Sequence, residues 1–327
     1  MDKNNGLMPL GDILNQAIPK PQRSRFEAAA KMLKPLSHVQ SRLLEPCPEH
    51  EPELCFQHSV LCQIGLPYRD QKGLRFWHRR QGSAALEIEA GRAFDPRVDE
   101  YVDVPLPWGP KPRLVLAHLN AEALRLDSPE ITIEGSLSAF VKRIRGFDGG
   151  REIRMFQTQL RCLSTATIRL AIHSGADVSQ ISTHVVTGFV NLWFPKDERQ
   201  RVLWNPSVRL SQEYFDSLKH HAVPLNERDL AALAHTAMGL DIYAWLAQRL
   251  HRINPRKPTF IPWTALQDQF GPDYQRIDKF KAVFRVALDQ VLSRYKTARI
   301  ELDGRGMTGR NSPPPVPMRI FMSNTKN

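Results

Sequence analysis

The residues of this 327-residue chain best suited to chemistry are cations and amides at helical spacing, together with a cluster of cysteines and histidines. On a helical wheel of residues 276–295, Gln275, Lys279, Ala282 and Val286 share the face opposite an apolar stripe, with Arg276 and Arg285 on its shoulders. Gln and Arg each make paired hydrogen bonds to a base edge, and Ala or Val touches a thymine methyl. Such a face suits the major groove of duplex DNA. Taken alone, charges on a long amphipathic helix are simply solvated, so the neighbouring elements must decide. Arg305 and Arg310 stand on a Gly- and Pro-rich stretch and suit phosphate contact. Arg151, Arg154, Gln157 and Arg161, with Thr158, line one face of an earlier helix preceded by Arg143 and Arg145. That face suits either DNA or docking, on the other half of the chain or on a second copy.

Cys47, His50, Cys55, His58 and Cys62 fall within sixteen positions and could supply the thiolates and imidazoles of a tetrahedral zinc site. Their pairs match neither a finger nor a ribbon, and Cys55, His58 and Cys62 have the spacing of one helical face. Buried thiols and a hydrogen-bonded histidine are therefore expected, with a metal site as the alternative. No phosphate-cradling G-x-x-x-x-G-K-[ST] loop occurs, nor a His-x-His pair with a nearby Tyr for metal-dependent strand nicking. No catalytic residue and no cofactor is expected.

The elements that would position these residues emerge from periodicity. Residues 1–25 are polar and Pro-rich, and residues 1–65 read as a flexible leader with possible short helices. Residues 66–112 alternate in short runs such as AALEIE and predict strands and turns. RLVLAHLNAEALRL (113–126) predicts a helix with Leu114, Ala117, Ala121 and Leu124 on one face, and SPEITIEG a brief strand. SLSAFVKRI (136–144) predicts a second helix and residues 151–163 a third, with Ile153, Phe156, Leu160 and Leu163 buried. Two β-rich runs follow at 165–172 and 184–194, separated by a polar hairpin. Helix, strand, helix, turn, helix and a two-stranded wing is the winged-helix order.

The same order returns after residue 225. Asn226 caps a helix that Gly239 breaks, and a further helix covers 241–253. KPTFIP predicts an extended run, PWTALQDQF a compact helix, and 276–295 a long one burying Ile277, Phe280, Phe284, Ala287, Leu288, Val291 and Tyr295. ARIELD and PMRIFMS read as strands flanking a wing loop. The expectation is an α+β fold of two tandem winged-helix domains, over 66–205 and 206–327.

Composition limits the partners. With 42% apolar and 24% charged residues the chain packs a core, and its net charge of +11 favours a polyanion. Residues 239–327 hold fifteen Lys and Arg against seven Asp and Glu, so this segment supplies +8 of the excess. The start lacks a signal-peptide core and no apolar run reaches the roughly 18 residues of a membrane helix, which predicts a cytoplasmic protein with reduced cysteines and no membrane partner.

From about Leu66 to Phe321 the chain resembles the RepA family of plasmid replication initiators. The likeness is carried by HSVLCQIGLPYRD (58–70), FWHRRQGSAALEIEAG (76–91), LPWGPKPRLVLAHLNAEAL (106–124), SLSAFVKRIRG (136–146) and VNLWFPKDERQRVLWNPSVRLSQEYFDSL (190–218). The resemblance implies sequence-specific binding of repeated double-stranded origin DNA, arranged as direct repeats, and recruitment of host helicase and initiator proteins. Separately, two unlike winged helices with the basic excess mostly in one lead to the expectation of a monomer–dimer equilibrium of the chain with itself, a dimer free in solution and one protomer on each direct repeat. A winged-helix transcriptional regulator, including one that represses its own promoter, is the competing reading, and an origin nickase or primase the reading from another class.

Overall fold

The computed structural model describes residues 54–95, 98–132, 141–142, 150–174, 177–183, 185–190 and 207–316. Strand β1 (Leu54–His58) pairs antiparallel with β11 (Ala222–Asn226), from Leu54 opposite Asn226 to His58 opposite Ala222. Helix α1 (Ser59–Gln63) follows at once, capped by His58 and with Val60, Leu61 and Cys62 buried. Residues 54–65 are thus part of the core, which corrects the leader expected over 1–65. The apolar side chains that anchor them are spread among Cys, His and Gln, too few and too irregular for a periodic signal. Residues 1–53 lie outside the described residues.

Helix α2 (Pro110–Leu126) starts with two prolines after Gly109 and ends where Asp127 takes a left-handed conformation, φ 47°. The apolar stripe expected there is present, yet the helix is enclosed on nearly every side. Its buried polar residues each have a partner: Lys111 pairs with Glu152, Arg113 with Asp241, and Asn120 bonds the Phe56 carbonyl and the Tyr214 hydroxyl. Polar residues on an interior helix hide its enclosure, though not its helicity, from a reading that looks for one apolar face.

Strands β2 (Phe76–Gln81), β3 (Ala84–Glu89), β7 (Thr167–Ser174) and β8 (Asp177–Thr183) form an antiparallel sheet in that order. Ala84, Leu86 and Ile88 of β3 face inward, as the AALEIE alternation predicts, while Arg169 of β7 bridges Glu87 and Glu89 on the other face. A separate hairpin, β4 (Arg92–Asp95) with β5 (Glu100–Asp103), also fulfils the strand expectation for this region. The polar hairpin expected between two β-runs is itself strand β8. Its Asp, Ser, Gln and Thr residues suppress the β signal that pairing with β7 supplies.

Two three-stranded sheets carry the same connectivity. β6 (Glu130–Thr132) follows α2 and pairs with β10 (Ser207–Leu210), which pairs with β9 (Val186–Val190), giving the order β6-β10-β9. β12 (Thr259–Pro262) follows helix α6 (Ala237–Arg249) and a 3-10 turn (Leu250–Arg252), and lies beside β14 (Gly306–Gly309), which pairs with β13 (Ile300–Leu302). The order β12-β14-β13 repeats first, third, second. Helix α3 (Gly150–Thr165) stands between β6 and β9 and buries Phe156, Leu160 and Leu163, with Ile153 half-buried. Of the helix expected over 136–144, only Val141 and Lys142 are described, and both are helical.

Several boundaries shift accordingly. The two strands that complete the first half's three-stranded sheet after α3 are β9 and β10, not the expected pair of runs at 165–172 and 184–194, because the β7–β8 hairpin joins another sheet. The division expected at 205/206 falls just before β10 and would sever it from β6 and β9. Helix α4 (Gln212–His221) then leads into β11 and α5 (Glu227–Leu233), capped by Asn226. Thr236, not Gly239, separates α5 from α6: its hydroxyl accepts from the Gly239 amide inside the first turn. A Cβ at 239 would lie 2.5 Å from Thr236 Cγ2, so this glycine serves close approach rather than helix breaking. Helix α7 (Trp263–Phe270) and the long α8 (Ile277–Arg294) match their expected spans. All the residues of the α8 stripe are buried except Ile277, 36% exposed at its first turn. In the loop read as a wing, residues 306–309 form β14, whose two glycines and lack of bulky β-formers mask it. PMRIFMS lies outside the described residues.

One continuous apolar core joins both halves, running from Cys55 through α2 and α6 to Met307.

Candidate nucleic-acid interface

Helix α8 and the turn of the β13–β14 hairpin both meet Trp263, whose ring packs on Phe280 and Phe284 and whose indole N–H donates to the Asp303 carbonyl at 3.0 Å. The helix is fixed from behind by aromatic packing: Trp263 lies 6.4 Å from Phe280 and 5.8 Å from Phe284, and Phe270 5.6 Å from Phe284. Its outward residues divide into two groups. Gln275, Arg276 and Lys279 are exposed around the N-terminal turn, whereas Ala282, Arg285 and Val286 are partly covered. The Arg276 guanidinium is held 2.7 Å from the Asp278 carboxylate, and Lys279 makes no ion pair among the described residues. Arg285 and Lys281 both lie 5.3 Å from the Trp263 ring, which limits how far either reaches outward. Lys281 is absent from the face expected from the wheel, which gives no hint that the Trp263 ring on the preceding helix draws it sideways.

The hairpin turn is built by Asp303, whose carboxylate accepts from the backbone amides of Arg305 at 2.7 Å and Gly306 at 2.8 Å. Those amides hold the carboxyl below the usual aspartate range. Gly306 is required by space, because a Cβ there would lie 2.2 Å from the Ile261 carbonyl oxygen of β12. Arg305 projects from this turn, 85% exposed, over the exposed ring of Phe260 at 5.8 Å. Arg310 is tied to Glu301 across the hairpin at 3.1 Å. Arg305 also pairs with Asp303, at 3.5 Å, but it is the more exposed of the two hairpin arginines and the freer to meet a phosphate.

On α3, Arg151, Arg154 and Thr158 are exposed and, with Met155, line a shallow depression of about 410 Å³. Arg154 folds back toward the Gly150 carbonyl, and Gln157 and Arg161 are partly covered. Arg143 and Arg145 lie outside the described residues. Structure therefore gives two separate cationic faces, one per half.

The described members of the Cys/His group do not gather. Cys55 is buried in β1, Cys62 in α1, and His58 sits at their junction, so the three do not share a helical face; Cys47 and His50 lie outside the described residues. Among the described residues no three His, Cys, Asp or Glu side chains are placed to hold a metal. His58 Nδ1 accepts from the Val60 amide, which puts the proton on Nε2, donated to Ser217 Oγ at 3.0 Å. Burial, and then the nearby His221, lower its pKa to about 3. A histidine depressed in the folded state gives stability that is full above its ordinary pKa near 6.5 and is lost as pH falls toward 3. Acidification from about pH 7 to about pH 4 should cost about 3 kcal/mol through this group. His58→Asn keeps an acceptor for Val60 and should flatten that slope in urea titrations; an unchanged slope would clear His58 of the effect.

Residues 106–265 match the family model for the plasmid-encoded RepA protein. The resemblance to RepA holds. The RepA match covers a little under half of the chain, from just before α2 to the first residues of α7, so α8 and the β13–β14 hairpin fall beyond it. No curated protein matches the chain. Two solved structures are similar: SeMet derivatives of domains 2 and 3 of RctB, 8% identical over 77% of this chain and 98% of that one with a TM-score of 0.48, and RctB domains 2–3, 8% identical over 76% and 94% with a TM-score of 0.45. Among the described residues no helix is long and apolar enough to cross a membrane.

Proposed function

We propose that this RepA-type protein is a replication initiator that binds origin DNA through two winged-helix units and acts without making or breaking a bond. The observation that carries the reading is the exposed N-terminal face of α8, on a helix that shares Trp263 with the turn of the β13–β14 hairpin. Helix α6, strand β12, helices α7 and α8 and the last two strands follow the winged-helix order, and the first half repeats the strand order. In this reading α8 enters the major groove, the hairpin is the wing, and Arg305 meets the backbone. The cationic face of α3 either holds neighbouring phosphates or pairs with another copy. Recruitment of host helicase and initiator proteins, and residence in the cytoplasm, belong to the same proposal.

Footprinting on the cognate plasmid tests it. Protection should fall on an array of direct repeats beside an AT-rich stretch, with one protomer per repeat and a concentration-dependent dimer off DNA. A twofold dimer suits inverted half-sites, so it must part to occupy direct ones. A single protected inverted repeat over a promoter would make the protein a regulator. Efficient nicking of supercoiled origin DNA at one position would overturn the non-catalytic mechanism.

A further inference from the structure

Between the β2–β3 turn, the end of α4 and the α6–β12 connection lies a groove of about 810 Å³. Its lining brings together Arg249, Arg252, Lys257, His220 and His221 and contains no Asp or Glu among the described residues. Arg249 is half-buried with its guanidinium 5.5 Å from the Trp245 ring, and burial lowers its pKa. Neither it nor Arg252 nor Lys257 forms an ion pair with a carboxylate among the described residues, whereas Arg113, Arg169, Arg294 and Arg310 all do. Withdrawing a cation from water without a counter-charge costs free energy, and an anion seated in the groove would recover it. Phe260, 47% exposed, is part of the lining, and its ring carries Arg305 of the hairpin turn. Arg305 of the turn and the cations of the groove therefore have Phe260 as a common neighbour.

We propose that the groove is a second phosphate-binding track, in which the sugar–phosphate backbone of a duplex held by α8 and the hairpin continues past Phe260 to Arg249, Arg252 and Lys257. The inference rests on the DNA-binding reading and adds a site that the basic excess alone did not locate. Phosphate contacts carry no sequence information, so the track would strengthen binding to every duplex alike.

The test is the salt dependence of binding to a random-sequence duplex of about 40 base pairs and to the cognate origin fragment, for the wild-type chain, Arg252→Ala with Lys257→Ala, and Lys257→Glu. Arg252 and Lys257 are exposed, so urea midpoints should not move. The double variant should reduce the log–log salt slope by about 1.8 and weaken binding to both duplexes equally, roughly tenfold to a hundredfold near 0.1 M salt. Lys257→Glu should weaken both further than loss of one contact. Unchanged slopes overturn the track and leave the DNA-binding reading standing, and so does a loss confined to the origin fragment, which would mean base reading. Failure of the wild-type chain to bind either duplex overturns both.

Discussion

Alanine at both Lys279 and Arg276 should weaken binding to the cognate repeat by roughly thirtyfold or more while leaving affinity for random duplex within a few-fold. Both side chains are exposed at the start of α8, so their loss removes no packing. A lost base contact costs on the order of 1 to 3 kcal/mol, and two together exceed the 1.4 kcal/mol that makes a factor of ten. The two are not equal. Arg276 must release Asp278 before it can reach a base, so part of its gain is offset, and Lys279→Ala alone should account for most of the effect. Anisotropy titrations on a single repeat and on a scrambled one, with urea midpoints as the folding control, give the answer. Equal affinity of both variants and wild type on the cognate repeat would remove α8 from the interface.

The second large effect lies in the core. Arg113→Ala should cost about 3 to 5 kcal/mol of folding stability, because it strands the Asp241 carboxylate in the interior. Arg113 on α2 grips Asp241 on α6 through two hydrogen bonds, at 2.7 and 2.8 Å, with both side chains under a tenth exposed. The remaining guanidinium hydrogens are taken by the carbonyls of Gly109, Pro67 and Leu66, and Tyr68 stacks on the group at 5.1 Å. Gly65 completes the fit, since a Cβ there would lie 1.8 Å from Asp241 Oδ2. Replacing the pair together, Arg113→Met with Asp241→Leu, should recover most of the loss, because two apolar side chains leave no orphaned charge. Urea unfolding of the two variants measures this; a single variant within about 1 kcal/mol of wild type would show that water reaches Asp241.

This pair also marks where the amino-acid sequence stops being readable. Helices that bury one face against solvent on the other, such as α3, α7 and α8, announce themselves by the spacing of Phe, Leu and Val, and their spans came through within a residue or two. Strands of alternating character, such as β3, do so too. Helix α2 is enclosed, so Arg113 and Asn120 are interior residues whose meaning depends on Asp241 and Phe56, more than 60 positions away. β8 and β14 are held by neighbours rather than by their own composition. At the candidate interface, exposure of Gln275, Arg276 and Lys279 followed from the wheel. The sideways stacking of Arg285 on Trp263 and the pairing of Arg310 with Glu301 did not, because each depends on an element adjacent only in space. The groove at the junction was hidden for the same reason: its cations come from residues 249–257 and its histidines from 220–221, and nothing local says they meet.

The pairing of β1 with β11 has a consequence for how the chain is made. As it leaves the ribosome, residues 54–58 emerge with their buried side chains and unpaired backbone well before residues 222–226 exist to cover them. At about 5 to 20 residues per second that wait lasts roughly ten seconds or more, during which an apolar strand edge stands open beside other nascent chains. The first half of this protein cannot finish folding on its own, so holding this stretch apart until the second half arrives falls to chaperones or to fast completion of synthesis.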